Sequence, residues 1–238
     1  MVNTKKVTWP IWPQYGEDEI GAVDRVVKSG QLFAAAEVKK FEERFAEFQE
    51  TNFAVGLGNA TQGLHLALAA LNVGQGDEVI VTTCSWISTA SCILMQNAVP
   101  VFCDIEPESL GLDPKKVEAL ITPLTKAIVT VHILGYPSKI RELAEVASRH
   151  SIPIVEDASH APGAAIDGKK MGTFGVLGVF SLHQRKAIST GEGGVICTDN
   201  GDLAEKIRRL RSFGHPELSY NYRMSYSGLR IFFSSIWS

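Results

Sequence analysis

Residues 127–158 read AIVTVHILGYPSKIRELAEVASRHSIPIVEDA. Two runs rich in Val and Ile, 127–133 and 152–158, flank KIRELAEVASRH at 139–150, whose apolar residues recur at helical spacing. The outer runs are continuously apolar, as in strands covered on both faces by crossover helices. Strand, helix and strand in this order predict an α/β layered fold with a mostly parallel sheet.

The same alternation continues in both directions. Strand-like runs occur at 53–58 (FAVGLG), 78–83 (EVIVTT), 99–105 (VPVFCDI), 175–182 (GVLGVFSL) and 194–199 (GVICTD). Helix-like runs occur at 61–72, 88–98, 113–121 and 201–213. Upstream, EVKKFEERFAEFQE at 37–50 sets Val38, Phe41, Phe45 and Phe48 on one stripe, which predicts an amphipathic helix. EDEIGAVDRVVKS at 17–29 has helical periodicity and stops at Gly30, and residues 1–16, rich in Trp and Pro, read as an extended arm. There is no internal repeat and no low-complexity linker. GQGDE at 74–78 and GEGG at 191–194 read as turns within one unit.

Composition narrows the function classes. Hydrophobic residues make up 45% and charged residues 21% of the 238, which argues for a folded globular chain with a sizeable core. The 23 basic and 26 acidic side chains leave a net charge of -3, so charge gives no support to a nucleic-acid partner. No apolar run approaches the roughly 18 residues of a spanning helix, and the N-terminal stretch lacks a signal-peptide core. A cytoplasmic location is the expectation. Cys84, Cys92, Cys103 and Cys197 form no C-x-x-C pair and no ligand cluster, so they read as free thiols rather than disulfides or a metal site.

In open α/β sheets ligands sit beyond the carboxyl ends of the strands, so the residues there carry the chemical question. GNATQG at 58–63 lies between a strand and a helix. Thr61 reads as the N-cap, and a helix start with a hydroxyl beside it suits either simple capping or a phosphate. Neither a dinucleotide fingerprint nor a Walker loop is present. Asp157 ends the very apolar run IPIVEDA, where a carboxylate needs a partner. A ligand cation, a protein Arg or Lys, or a helix start would each serve. Lys186 stands between FSL and a glycine-rich turn, where partial burial would make its amine nucleophilic; a solvated loop lysine fits as well, and Arg185 beside it is a second candidate. Trp86 follows EVIVTT and suits either core packing or stacking on a flat ring. His160 suits either a ligand hydroxyl or local backbone. His65 and His132 read as structural.

The order of these features matches one cofactor. Pyridoxal phosphate has a phosphate, a flat ring, a ring nitrogen that seeks a carboxylate and an aldehyde that seeks a lysine.

At this point the sequence resembles the DegT/DnrJ/EryC1/StrS aminotransferases, the sugar and aminocyclitol branch of the fold-type I pyridoxal phosphate enzymes. The resemblance rests on EVKKFEERFAEF, GNATQGLHLALAAL, GDEVIVTTCSWISTA, PVFCDIEPESLGLDP, IPIVEDASHAPGA and FSLHQRKAISTGEGGVICT, and covers roughly residues 11–224. It implies a three-layer α/β/α large domain over 31–213, preceded by an arm and helix over 1–30. It implies that Lys186 anchors the cofactor aldehyde, that Asp157 pairs with the ring nitrogen, and that Trp86 stacks on the ring. It further implies that His160 contacts the phenolic oxygen and that Thr61, the backbone at Gln62 and Ser181 hold the phosphate. Asn221, in YNYRM, would reach the phosphate of a second subunit, in a homodimer with shared sites. Lysine at 186, where a dehydratase branch has histidine, implies a transaminase. Its amino donor would be glutamate or glutamine and its acceptor a keto sugar, by implication nucleotide-linked, in amino-sugar, polysaccharide or antibiotic sugar biosynthesis. The WPIWPQYG arm and SWISTAS also resemble aminocyclitol and aminohydroxybenzoate-synthase relatives, which act on cyclic ketones. After YNYRMS the family pattern continues into a small C-terminal domain, whereas this sequence runs YSGLRIFFSSIWS. Residues 214–238 are therefore expected to form only an incomplete start of that domain, and a non-catalytic cofactor-binding remnant stands as a rival reading.

Overall fold

A computed structural model of the chain describes residues 10–214. The expectations for Asn221 and for the segment 215–238 lie outside the described residues.

In chain order the elements are α1 (Glu17–Ser29), α2 (Ala36–Gln49), β1 (Phe53–Leu57), α3 (Ala60–Ala70), β2 (Glu78–Thr82), α4 (Ser88–Leu94), β3 (Val99–Cys103), α5 (Pro114–Leu120), β4 (Thr125–Val131), α6 (Ile140–Arg149), β5 (Ile154–Asp157), β6 (Ala165–Ile166), β7 (Lys169–Lys170), β8 (Leu177–Ser181), β9 (Gly194–Thr198) and α7 (Gly201–Arg211). A single-turn 3-10 segment, Ile133–Gly135, follows β4. Each strand and helix read from the sequence is found. The short hairpin β6–β7 escaped that reading, because two-residue strands carry no periodicity.

Seven strands form one sheet in the order β1-β9-β8-β5-β4-β2-β3. The pairs β2–β3, β2–β4, β4–β5 and β5–β8 are parallel. β9 runs antiparallel to both of its neighbours, β1 and β8. The strands alternate between two apolar faces. Ala54, Ile80, Ile128, Ile154, Phe180, Val195 and Cys197 point to a core shared with α2, α5 and α6. Val55, Val79, Val81, Ala127, Val129, Val155, Val179 and Ile196 point to a second core shared with α3, α4 and α7. This is a three-layer α/β/α sandwich. It explains why the central strands read as unbroken apolar runs: each successive side chain enters a core on one face or the other. The edge strand β3 departs from this pattern. Val99 and Phe102 there are exposed, so an apolar run did not mean burial on both faces.

Helix α2 buries Phe45, Ala46, Glu42 and Gln49, while Phe48 is 42% exposed at the edge of the stripe. The two polar side chains have partners. Glu42 Oε1 accepts from the Gly56 amide at 2.8 Å and from Arg211 Nη1 at 2.5 Å. Gln49 Nε2 donates to the Met171 carbonyl at 3.2 Å. Glu42 thus links α2, β1 and α7. A Cβ at Gly63 would lie 2.7 Å from Val179 Cγ1, so glycine lets α3 press closely on the sheet. No helix among the described residues is long and apolar enough to cross a membrane.

Phe180 is 1% exposed and meets Phe45 edge-on, with centroids 5.3 Å apart, which joins the sheet to α2. Phe180→Ala is expected to cost about 3–5 kcal/mol of stability. Urea unfolding of the two proteins measures it; a loss under about 1 kcal/mol would contradict this account of the packing.

Candidate cofactor site

A cavity of about 550 Å³ opens at the carboxyl ends of β4, β5 and β8. Its wall includes Thr61, Trp86, Asp157, His160, Ser181 and Lys186, six of the eight residues singled out from the sequence. The sheet order brings them together, since β5 and β8 are adjacent and the turns after β1 and β2 reach the same end.

At the turn after β1 the cap is Asn59, and the reading of Thr61 as N-cap is corrected. Asn59 has extended backbone, and its Oδ1 accepts from the Gln62 amide at 2.8 Å. The cap and the helix start lie two residues earlier than the hydroxyl pattern suggested, and Asn caps as well as Thr. Gln62 is therefore not a free donor, and it is absent from the cavity wall; its side chain accepts from the Gly58 amide at 2.9 Å. The amides of Ala60 and Thr61 have no assigned partner among the described residues. They are the open donors of this helix start. Close approach of β9 makes this geometry possible: a Cβ at Gly194 would lie 2.5 Å from the Asn59 carbonyl carbon and 2.7 Å from the Ala60 nitrogen. That is the physical content of the last glycine in GEGG.

Asp157 ends β5 and is 4% exposed. Its Oδ2 accepts from Thr89 Oγ1 at 2.8 Å, and its Oδ1 accepts from the Ser159 amide at 3.2 Å. No protein cation bonds to it among the described residues. The salt-bridge alternative left open by the sequence is thereby excluded for those residues. Glu156, one residue earlier, points to the opposite face. It is fully satisfied there by the Gly172 amide at 2.8 Å, the Gly175 amide at 2.5 Å and His132 Nε2 at 2.8 Å. His132 is the buried structural histidine that the sequence indicated.

Lys186 is half-buried in the loop after β8. The loop bonds to itself, with the Gln184 amide donating to the Gly191 carbonyl at 2.7 Å and the Lys186 amide donating to the His183 carbonyl at 2.9 Å. The N-terminal arm holds it from outside: Trp12 Nε1 donates to the Lys186 carbonyl at 2.9 Å, and Tyr15 Oη lies 3.1 Å from Ser189 Oγ. The sequence indicated an arm but not where it docks. The Lys186 side chain makes no ion pair among the described residues. Burial holds its amine below the ordinary lysine value, opposed by the charge of Asp157. The Leu134 amide donates to His160 Nδ1 at 3.1 Å, which leaves Nε2 to carry the ring proton. Burial, and then the positive Lys186, holds this imidazole below its usual value, against the pull of Asp157. Trp86 is 72% exposed and lines the cavity, so core packing does not account for it.

Residues 13–232 match the DegT/DnrJ/EryC1/StrS aminotransferase family. The chain belongs to this family. Aminotransferases of the DegT/DnrJ/EryC1/StrS family depend on pyridoxal phosphate. The chain is 42% identical over 213 residues to an L-glutamine:2-deoxy-scyllo-inosose aminotransferase of Streptomyces kanamyceticus, covering 87% of this chain and 50% of that one. Among solved structures, 3-amino-5-hydroxybenzoic acid synthase superposes with a TM-score of 0.86 at 33% identity, over 90% of this chain and 57% of that one. DesI, solved in the presence of its TDP-sugar product, superposes with a TM-score of 0.79 at 37% identity, over 85% and 52%. The chain spans about half the length of the curated relatives it matches.

The lysines differ in a way that labelling can read. The exposed Lys116 is held above the ordinary value, by its hydrogen bond to Asp104 first, whereas Lys186 is held below it. A lowered value means that Lys186 loses its proton, and turns nucleophilic, at lower pH than Lys116. Competitive acetylation with peptide mapping across a pH series should place the Lys186 midpoint below that of Lys116. The reverse order would contradict the site electrostatics.

Proposed function

We propose that this chain binds pyridoxal phosphate in the cavity at the ends of β4, β5 and β8, as part of an aminotransferase. The observation that carries the reading is Asp157: a nearly inaccessible carboxylate without a protein cation, sharing one cavity with a half-buried lysine that has no ion-pair partner. The donor set fits the cofactor. The open amides of Ala60 and Thr61 and the hydroxyls of Thr61 and Ser181 would hold the phosphate. Trp86 would cover one ring face. His160, with its proton on Nε2, would donate to the phenolic oxygen. Asp157 would hold a proton at the ring nitrogen, and Lys186 Nζ would carry the aldehyde. Asn221 keeps its family-based assignment to the phosphate of a second copy in a homodimer.

Bound pyridoxal phosphate supplies an aldehyde that captures amines and a ring that accepts an electron pair. The residues of the chain do the rest. Lys186 Nζ would take the proton from Cα of the amino donor, and burial, which lowers its proton affinity, favours the neutral amine that this role needs. Asp157 would hold the proton at the ring nitrogen, so that negative charge developing at Cα would be stabilised.

The amino donor in this reading is glutamate or glutamine and the acceptor a polyhydroxylated ketone. A nucleotide-linked keto sugar is one form, consistent with the likeness to DesI. A cyclic ketone of the aminocyclitol type is the second, and the 42% identity to an enzyme named for 2-deoxy-scyllo-inosose favours it. Amine transfer from glutamine to each ketone in turn separates them.

Borohydride reduction of the protein saturated with pyridoxal phosphate, followed by peptide mapping, should place the pyridoxyl group on Lys186. A label on Lys169, Lys170 or another lysine would overturn the assignment. Asp157→Asn should slow the single-turnover proton transfer by about 10²-fold or more. Near-normal rates in that variant would show that Asp157 has another role.

A further inference from the structure

The far side of Asp157 is held by a pair of hydroxyls to which the chemistry above gives no part. Thr89 Oγ1 lies 2.8 Å from Asp157 Oδ2, and Ser85 Oγ lies 2.6 Å from Thr89 Oγ1. Thr89 is 0% exposed, inside the short helix α4. Its backbone is fixed there, with its amide donating to the Trp86 carbonyl at 3.1 Å and its carbonyl accepting from Cys92 Sγ at 3.3 Å. A hydroxyl has one proton to give, and a carboxylate can only accept. Thr89 therefore donates to Asp157, and its oxygen accepts from Ser85. Ser85 is half-buried and lines the cavity. The chain of donors runs from the cavity wall, through α4, to the back of the carboxylate.

We propose that Thr89 is a positioning residue for Asp157, and that Ser85 sets the direction of the Thr89 hydroxyl. The proposal rests on the cofactor reading above. With the Ser159 amide on Oδ1 and Thr89 on Oδ2, both carboxylate oxygens are held by the chain itself. Such support determines how well a buried group keeps its aim.

Among the described residues, Lys186, His160 and Cys92 feel the charge of Asp157, and His183, Arg185 and Glu192 line the same cavity. The Cys92 thiol is pushed up to about 12, by burial first and then by Asp157, so it stays neutral throughout the working range. Lys186 and His160 remain unchanged in the variants below, so differences between variants report on Thr89.

A packing role and a positioning role predict opposite rankings. Thr89→Val keeps the shape and removes the donor. Thr89→Ser keeps the donor and leaves a methyl-sized gap. Under the proposal, the absorption spectrum of pyridoxal phosphate bound to the full chain, recorded across neutral pH, should show loss of the ring-nitrogen proton at lower pH in Thr89→Val. Single-turnover proton transfer should fall about 10- to 100-fold in that variant. Thr89→Ser should match the wild type in both. Ser85→Ala, at a half-buried position where folding is safe, should shift the spectrum in the same direction by a smaller amount. In the absence of cofactor, the stability losses of Thr89→Val and Asp157→Asn should be non-additive, as for groups in contact. An unchanged spectrum in Thr89→Val and Ser85→Ala, or a Thr89→Ser variant as impaired as Thr89→Val, would overturn the proposal. A wild-type chain that takes up no pyridoxal phosphate would overturn the cofactor reading and this one together. Uptake by the wild type with no effect of Thr89→Val would overturn this one alone.

Discussion

A carboxylate at the end of a buried strand has to be compensated, and the site is arranged around that constraint at Asp157. Burial of an unpaired charge is among the costliest things a fold can do. Here the compensation within the described residues is limited to one hydroxyl and one amide. No guanidinium or ammonium closes on it. The half-buried Lys186 feels the charge across the same cavity, and so does His160. The electrostatics of the three groups are therefore coupled, and a cationic ring nitrogen would complete the set.

Glu156 shows what a purely structural solution looks like. It is the immediate neighbour of Asp157, and strand geometry sends the two side chains to opposite faces. Glu156 meets two amides and an imidazole, and needs nothing further. Asp157 lines the cavity at the strand ends. Of the two carboxylates, identical in charge and adjacent in sequence, Glu156 is thus spent on the fold, and Asp157 is the one the proposed cofactor would use.

The lysine loop obeys a similar logic. Its internal hydrogen bonds set its shape, and Trp12 and Tyr15 from the distant arm tie it down. The proton-moving role proposed for the Lys186 amine needs a fixed backbone and a free end, and among the described residues both are present. The glycine at 194 serves the opposite wall. It lets β9 pass against the start of α3, where Ala60 and Thr61, whose amides are open, line the cavity.

The fold was legible from one-dimensional pattern, because strand and helix periodicity and the apolar double-faced strands are local properties. Asp157, Lys186, Trp86, His160, Thr61 and Ser181 were legible for a related reason: they follow strands, and the ends of parallel strands converge in any such sheet. What required the tertiary structure were pairings across long sequence separations. Asn59 rather than Thr61 caps α3, because the exact helix start depends on how β9 passes it. Thr89 reaches Asp157 across 68 positions, and Trp12 reaches Lys186 across 174. Phe102 reads as core but lies on an edge strand, since strand order is decided by crossovers and not by composition. The sequence by itself determined which residues could do chemistry. The tertiary structure decided which of them meet, because hydrogen bonds and burial depend on distances that no local pattern encodes.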